Sequence, residues 1–289
     1  MEDVATSKRD EIGVSKSPRK TASLDCQNTF QQIAKRCVKL IRRNRKPAIA
    51  GDGEAIHTMR IELTRLRAAV RFFSPMTKDA ARSPVTKELR WLNAALGKAR
   101  DLDVTMSYAR RKRYRSWARN SRRAFLLSQS KGHRRLAGKL NSVRYGRLMV
   151  DLDHWITSGS WLSEAQPLRS ERVDRYSQSR LREWKNEIWR EGQHLRSLRR
   201  ERLHRLRIDC KRYRYVVAAL QAMNVPVAQQ EVTFCEAARQ VHGALGDLRD
   251  LKQLRRAGRG RPPGYRKRKQ KLLREAERPF RRRSSEKRT

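Results

Sequence analysis

A chain of 289 residues that is 37% hydrophobic is long enough to bury a core, as one large domain or as two of half that size. Its 71 Lys and Arg stand against 29 Asp and Glu, a net charge of +42 that repels itself and draws polyanions to the whole surface. Nucleic acid, an anionic membrane surface and a phosphate polymer are the default partners, and no apolar run approaches the roughly 20 residues that a bilayer span requires. The four cysteines, Cys26, Cys37, Cys210 and Cys235, show no CxxC spacing and no His close enough in sequence to suggest a zinc finger, which favours a reduced, cytoplasmic chain over a disulfide-stapled one.

Residues 1–23 form a polar leader without the apolar centre of a secretory signal, and their few apolar residues follow no period, so the segment is expected to be disordered. From about Leu24 the chain reads as helix almost throughout. Apolar residues recur every three or four positions in Phe30-Ile33-Ala34-Cys37-Leu40-Ile41, in Leu89-Leu92-Leu96 and in Leu148-Leu152-Trp155-Ile156. Strand-like alternation is absent. Lys46-Pro47 through Gly53 separates the first two helices, and Ser83-Pro84 predicts an N-cap followed by proline at the first helical position. Thr157 to Ser160, followed by Pro167, marks a mid-chain boundary. Ala257 to Gly264 is a last linker before one more helix, and Arg281 to Thr289 reads as a ragged basic tail.

The chain is duplicated. His57, Arg60, Ile61, Arg65, Arg67 and Val70 return 147 positions later as His204, Arg207, Ile208, Arg212, Arg214 and Val217. Downstream, AALGKARDL from Ala94 is answered by GALGDLRDL from Gly243, with Gly97 and Gly246 149 positions apart. Two ordered matches at nearly one interval define two copies of a helical unit, one over about 24–160 and one over about 161–280.

On a helical wheel at roughly 100° per residue, Met59, Leu63, Leu66, Val70 and Phe73 form a core-facing stripe. Arg60, Thr64, Arg67 and Arg71 form a second stripe beside His57. In the other copy the core stripe is Leu206, Cys210, Tyr213, Val217 and Leu220, and the polar stripe is His204, Arg207, Lys211 and Arg214. Like charges one turn apart destabilise a helix by a few tenths of a kcal/mol each. The same ladder built twice therefore points to a polyanion that runs along it rather than to a solvated face. Arginine suits such work, because its guanidinium stays charged and holds phosphate through two parallel hydrogen bonds.

Arg65 and Arg212 fall off the ladders. They are expected to orient the helices by pairing with Asp101 and Asp250 of the duplicated Arg-Asp-Leu motif, the alternative being that each Asp pairs locally. Gly97 and Gly246 are expected to mark close helix crossings. Motifs for catalysis or a cofactor are missing: there is no phosphate loop, no G-x-S-x-G elbow and no H-E-x-x-H helix. The pairs Asp101/Asp103 and Asp151/Asp153 are weak candidates for a cation. The chain therefore reads as non-catalytic.

The pattern H-x-x-R-[IV]-x-x-x-R-x-R followed by A-L-G-x-x-R-D-L, repeated, resembles the CHAD domain, a histidine-containing α-helical family. The resemblance covers roughly Asp25 to Phe280. It includes HRRLAGKLNSVRYGRLMVDLDHWI from His133, which is similar to the hairpin closing the family's first half, and KLLREAERPF from Lys271, which is similar to its closing helix. It implies an all-α fold of two antiparallel bundles related by pseudo-twofold symmetry about a basic groove, and binding of inorganic polyphosphate on bacterial granules. Carried over, the polyphosphate-binding residues are His57, Arg60, Arg67 and Arg71, and His204, Arg207, Lys211 and Arg214, with no cofactor and no metal. The histidines either donate to phosphate or hold the helix start. Thr64 stands where the family usually has a basic residue, so the first ladder is expected to be the weaker. Non-specific nucleic-acid binding is the alternative, although few aromatic residues near the ladders are free to stack on bases.

Overall fold

A computed structural model of the protein describes residues 24–163, 167–258 and 260–286, with side chains to residue 281. The first half runs through α1 (Cys26–Arg43), the short α2 (Arg45–Ile49), α3 (Gly53–Phe72) and α4 (Arg82–Arg110). A coiled arm of 3-10 turns around α5 (Arg115–Ala118) then leads to α6 (Arg122–Leu140) and α7 (Val143–Ser158). The second half follows the short α8 (Pro167–Ser170) with α9 (Val173–Gln193), α10 (Arg200–Ala222), α11 (Gln229–Ala257) and α12 (Tyr265–Glu286). The chain is all-α, and the one extended pairing among the described residues is the isolated bridge Asp25–Arg172.

Several helices start where a side chain can satisfy their open backbone N–H groups. Asp25 accepts from the Asn28 amide, Asp52 from those of Glu54 and Ala55, and Ser142 from that of Tyr145. Gly51 supplies the left-handed residue, φ 90°, of the turn between α2 and α3. α4 begins at Arg82 rather than after Ser83, because Asp79 accepts from the Arg82 amide one turn earlier. Pro84 then lies within the first turn, where amides lack intrahelical partners and a missing N–H costs little. The leader, 1–23, lies outside the described residues, as do 287–289. Of the expected tail, 281–286 is helix, continuing α12 past Pro279.

The two halves share one core, which runs from Cys26 to Phe280. Phe72 and Phe73 at the end of α3 pack against Tyr176 and Trp184 of α9, with ring centroids 5.4–5.6 Å apart, and the Tyr176 hydroxyl donates to the Phe72 carbonyl at 2.5 Å. Within the second half, Glu231 is buried with Lys185 and the Tyr213 hydroxyl as its partners. Residues one repeat interval apart also meet directly. Asp25 bridges to Arg172, and Lys211 Nζ reaches Thr64 Oγ1 at 3.4 Å where α3 and α10 pack together. That second contact places the polar stripes of both copies at one seam.

Candidate functional site

The seam is built from four helices, because α3 packs on α4, α10 on α11, and the pairs meet through α3–α10 and α4–α11. Arg60, Arg207, Lys211 and Arg214 come from the ladder helices, Arg100 from α4 and Arg249 from α11. Two carboxylates pair within this cluster, and a third, Glu236, lies within electrostatic reach of Arg214 at its edge. Asp101 accepts from Arg249 Nη2 at 2.5 Å, and Asp250 accepts from Arg249 Nη1 at 3.5 Å. Gln253 locks the same corner, donating to the Asp101 carbonyl at 2.6 Å and to Thr105 Oγ1 at 3.1 Å.

Crowding like charges in a half-buried place lowers the proton affinity of each. Burial, with Arg249 and Arg60 nearby, pushes Arg207 down to about 10. Burial holds Arg60 below its ordinary value against the favourable pull of Asp101. Lys211 is driven well down by burial and by Arg60, Arg207, Arg214 and Arg249. Burial raises Asp250, although Arg249 and Arg207 oppose it. An anion entering the seam would relieve every one of the cationic shifts.

Three histidines line this cluster. His57 is lowered by burial and by Arg100, and its Nδ1 is buried without a hydrogen-bond partner. His204, exposed at the rim, is lowered by desolvation and by Arg207, Arg249 and Arg200. The third, His242 of α11, accepts from Arg214 through Nδ1 at 3.3 Å and is pushed down to about 2 by burial and by Arg207, Lys211, Arg214 and Arg60. Its Nε2 and the Arg207 Nε are likewise buried and unpartnered. Beside the cluster a groove of about 580 Å³ opens between α10 and α11, lined by Arg200, His204, Arg207, Arg249, Lys252 and Arg256 among others.

Not every expected rung reaches the seam. Arg67 is lowered by burial and by Arg212 and Arg90, a separate meeting of charges. Arg71 is exposed and lines another cavity, of about 1000 Å³, with Arg190, Arg199, Arg202 and Arg205. The two stripes therefore meet at Thr64–Lys211, and the ends that carry Arg67 and Arg71 lead away from that contact. The orienting pairs also differ from expectation. Arg65 donates to Glu62 at 2.5 Å and Arg212 to Asp209 at 2.8 Å, the same i,i+3 pair in each copy. Asp101 instead takes Arg249, which α11 brings against α4, while Asp250 takes the same guanidinium from the neighbouring position of its own helix, the local pairing that was the alternative. Gly97 has open space beside it, and Gly246 leaves room for the Arg207 guanidinium, with Nε 3.5 Å from where a Cβ would stand. The acid pairs separate as well: Asp103 faces His133 at 2.8 Å and Asp153 faces Arg42. Among the described residues no three His, Cys, Asp or Glu groups gather as metal ligands do.

An all-α chain whose copies converge on one half-buried cationic seam is, as a class, a helical domain organised around an anion-attracting centre. The family follows from comparison. The CHAD domain model matches residues 32–259, and the chain belongs to the CHAD domain family. Two solved structures are similar in fold. The crystal structure of the CHAD domain from the plant Ricinus communis superposes with a TM-score of 0.69 at 21% identity, over 92% of this chain and 97% of that one. PptA from Streptomyces chartreusis gives a TM-score of 0.59 at 14% identity, over 88% and 93%. No curated protein matches the chain.

Proposed function

We propose that this protein binds inorganic polyphosphate at the α3–α10 seam without cleaving it, and that it gathers in this way on polyphosphate granules in the cytoplasm. The observation that carries the reading is the convergence of Arg60, Arg100, Arg207, Lys211, Arg214 and Arg249 around two carboxylates, with buried polar atoms of His57, Arg207 and His242 unpartnered beside them. Such an arrangement recognises phosphate by charge and bidentate hydrogen bonding and contains nothing that reads a base. Membership of a family of generally non-catalytic binding domains, some of which bind polyphosphate, supports the same reading. His57, His204 and His242 act as rim and floor donors, and Arg67 and Arg71 extend the cationic surface beyond the seam.

The test is binding of long-chain polyphosphate, single-stranded RNA and duplex DNA at matched phosphate concentration and near-physiological salt. It compares the intact protein with an Arg60→Ala/Arg207→Ala/Lys211→Ala/Arg249→Ala variant whose folding is checked by circular dichroism. Polyphosphate is expected to bind most tightly and to lose most of its affinity in the variant. Equal binding of all three polymers, undiminished in the variant, would assign the binding to bulk charge.

A further inference from the structure

The exposed large hydrophobic side chains among the described residues are Leu126 at 44%, Leu127 at 55%, Val143 at 80% and Val150 at 65%. All four lie on the α6–α7 hairpin, which supplies none of the seam's six cations. The hairpin closes a long stretch without acids. From Val104 to Val150 there is no Asp or Glu, although acids occupy 29 of 289 positions, while Lys and Arg occur fourteen times. Among those cations Arg144, with Glu88, is the one that has an ion-pair partner within the described residues.

The inner faces are ordinary core. Phe125, Leu136 and Leu140 are buried on α6, and Tyr145, Leu148, Leu152 and Trp155 on α7. At roughly 100° per residue, Leu127 lies opposite that face of α6 between Arg123, Lys131 and Arg134, with Leu126 at its border. On α7, Val143, Arg147 and Val150 share the outer face by the same count. Both helices pack on α4, so both outer faces turn away from it.

Aliphatic side chains set among unpaired cations match a surface that is anionic outside and apolar just beneath. A nucleic acid or a phosphate polymer would meet the cations and leave the four aliphatics in water. A bilayer takes the aliphatics into the acyl boundary while its headgroup phosphates meet the arginines and lysines. We propose that the outer face of the α6–α7 hairpin docks the protein peripherally on an anionic lipid bilayer. No described helix is long and apolar enough to cross a membrane, so the contact is one of lying on the surface. Each cation that reaches the headgroups strengthens binding by roughly fivefold at moderate salt, and the aliphatics supply the part that salt does not remove.

Co-sedimentation of the full chain with vesicles tests this, using phosphatidylcholine alone and phosphatidylcholine mixed with phosphatidylglycerol. Binding is expected to the mixed vesicles only. A Leu126→Ser/Leu127→Ser/Val143→Ser/Val150→Ser variant is expected to lose that binding about tenfold or more, with polyphosphate affinity unchanged. The four-alanine seam variant is expected to keep vesicle binding, so failure at one site is distinguishable from failure at the other. A Val150→Trp chain should show a blue shift in tryptophan emission on the mixed vesicles. The proposal is overturned if the serine variant sediments like the parent, if the emission does not move, or if single-stranded RNA binding is what the serine variant loses.

Discussion

Asp101→Asn should make the protein less stable and its polyphosphate binding tighter, and the opposed signs are what make the substitution informative. Asp101 is the carboxylate that takes Arg249 at 2.5 Å and offsets the neighbouring charges of Arg60 and Arg207. Asparagine keeps the shape and an acceptor for Arg249 but removes the charge. With both side chains about one-third exposed or less, the loss lies between that of a surface pair and that of a buried one, about 1–3 kcal/mol. In a chain of this size that lowers Tm by about 2–4 °C per kcal/mol. A phosphate seated in the seam would feel the lost negative charge at roughly 7 Å. With an effective dielectric constant of about 20 to 40, its removal is worth about 1–2 kcal/mol, or roughly tenfold in affinity. Freeing Arg249 for one more phosphate contact should also steepen the slope of log K against log salt by about 0.7–0.9. Scanning calorimetry gives the first quantity, and fluorescence anisotropy of end-labelled polyphosphate over a salt series gives the others. Weaker binding with an unchanged or shallower slope would refute the reasoning, because Asp101 would then be holding Arg249 in its binding position rather than competing with the ligand.

Thr64→Lys puts a second ammonium against Lys211 Nζ, which lies 3.4 Å from the threonine hydroxyl, and should lower Tm by several degrees. Long-chain polyphosphate should then raise Tm more in this variant than in the parent, a difference read by paired thermal melts. Stability should also fall as pH drops below about 6.5, the ordinary histidine value. His57, His204 and His242 are held lower by burial and by arginines, so they stay neutral in the fold while the unfolded chain takes up protons. The slope is at most about 1.4 kcal/mol per pH unit for His242, and His242→Asn should flatten the acid side of a Tm–pH profile. Bound polyphosphate should reverse the trend, with affinity rising from pH 7.5 to about 5.5 as phosphate stabilises the protonated rings. Lys185→Met leaves Glu231 buried without its cation and should cost about 3–5 kcal/mol in urea unfolding, most of it recovered by Lys185→Met/Glu231→Leu.

The helices and the core stripes are legible in the sequence because burial repeats every three to four residues. Met59, Leu63, Leu66 and Leu206, Cys210, Tyr213 are buried as the wheel requires. The seam is only half legible, and for a physical reason. A wheel describes one helix in isolation, so it aligns Arg60, Arg67 and Arg71 without knowing that α10 crosses at Thr64 and parts them. The Arg-Asp-Leu motif stands out in both copies, yet its partner is set by where α11 meets α4, which no periodicity encodes. His242 left no signal at all, since the residue 149 positions before it is Asn93 and the duplication does not mark it. The arm around α5 has 3-10 turns and no helical period, so its anchors, Tyr114 and Ala118, are not visible as a stripe.

Thr64 shows why the crossing point governs the site. As a rung missing from one ladder it would weaken the first copy. In the fold its partner across the seam is Lys211, the residue that occupies the same place in the second copy. Two identical cations at that contact would face each other at hydrogen-bonding distance in a half-buried place where Lys211 is already driven far below its ordinary proton affinity. A neutral hydroxyl on one side accepts from the single ammonium on the other, and it is itself tied back to the Arg60 carbonyl at 2.8 Å. One lysine therefore serves both copies. The asymmetry that looks like a defect along one helix is what lets two duplicated helices bring their remaining cations, Arg60 and Arg207, into one seam.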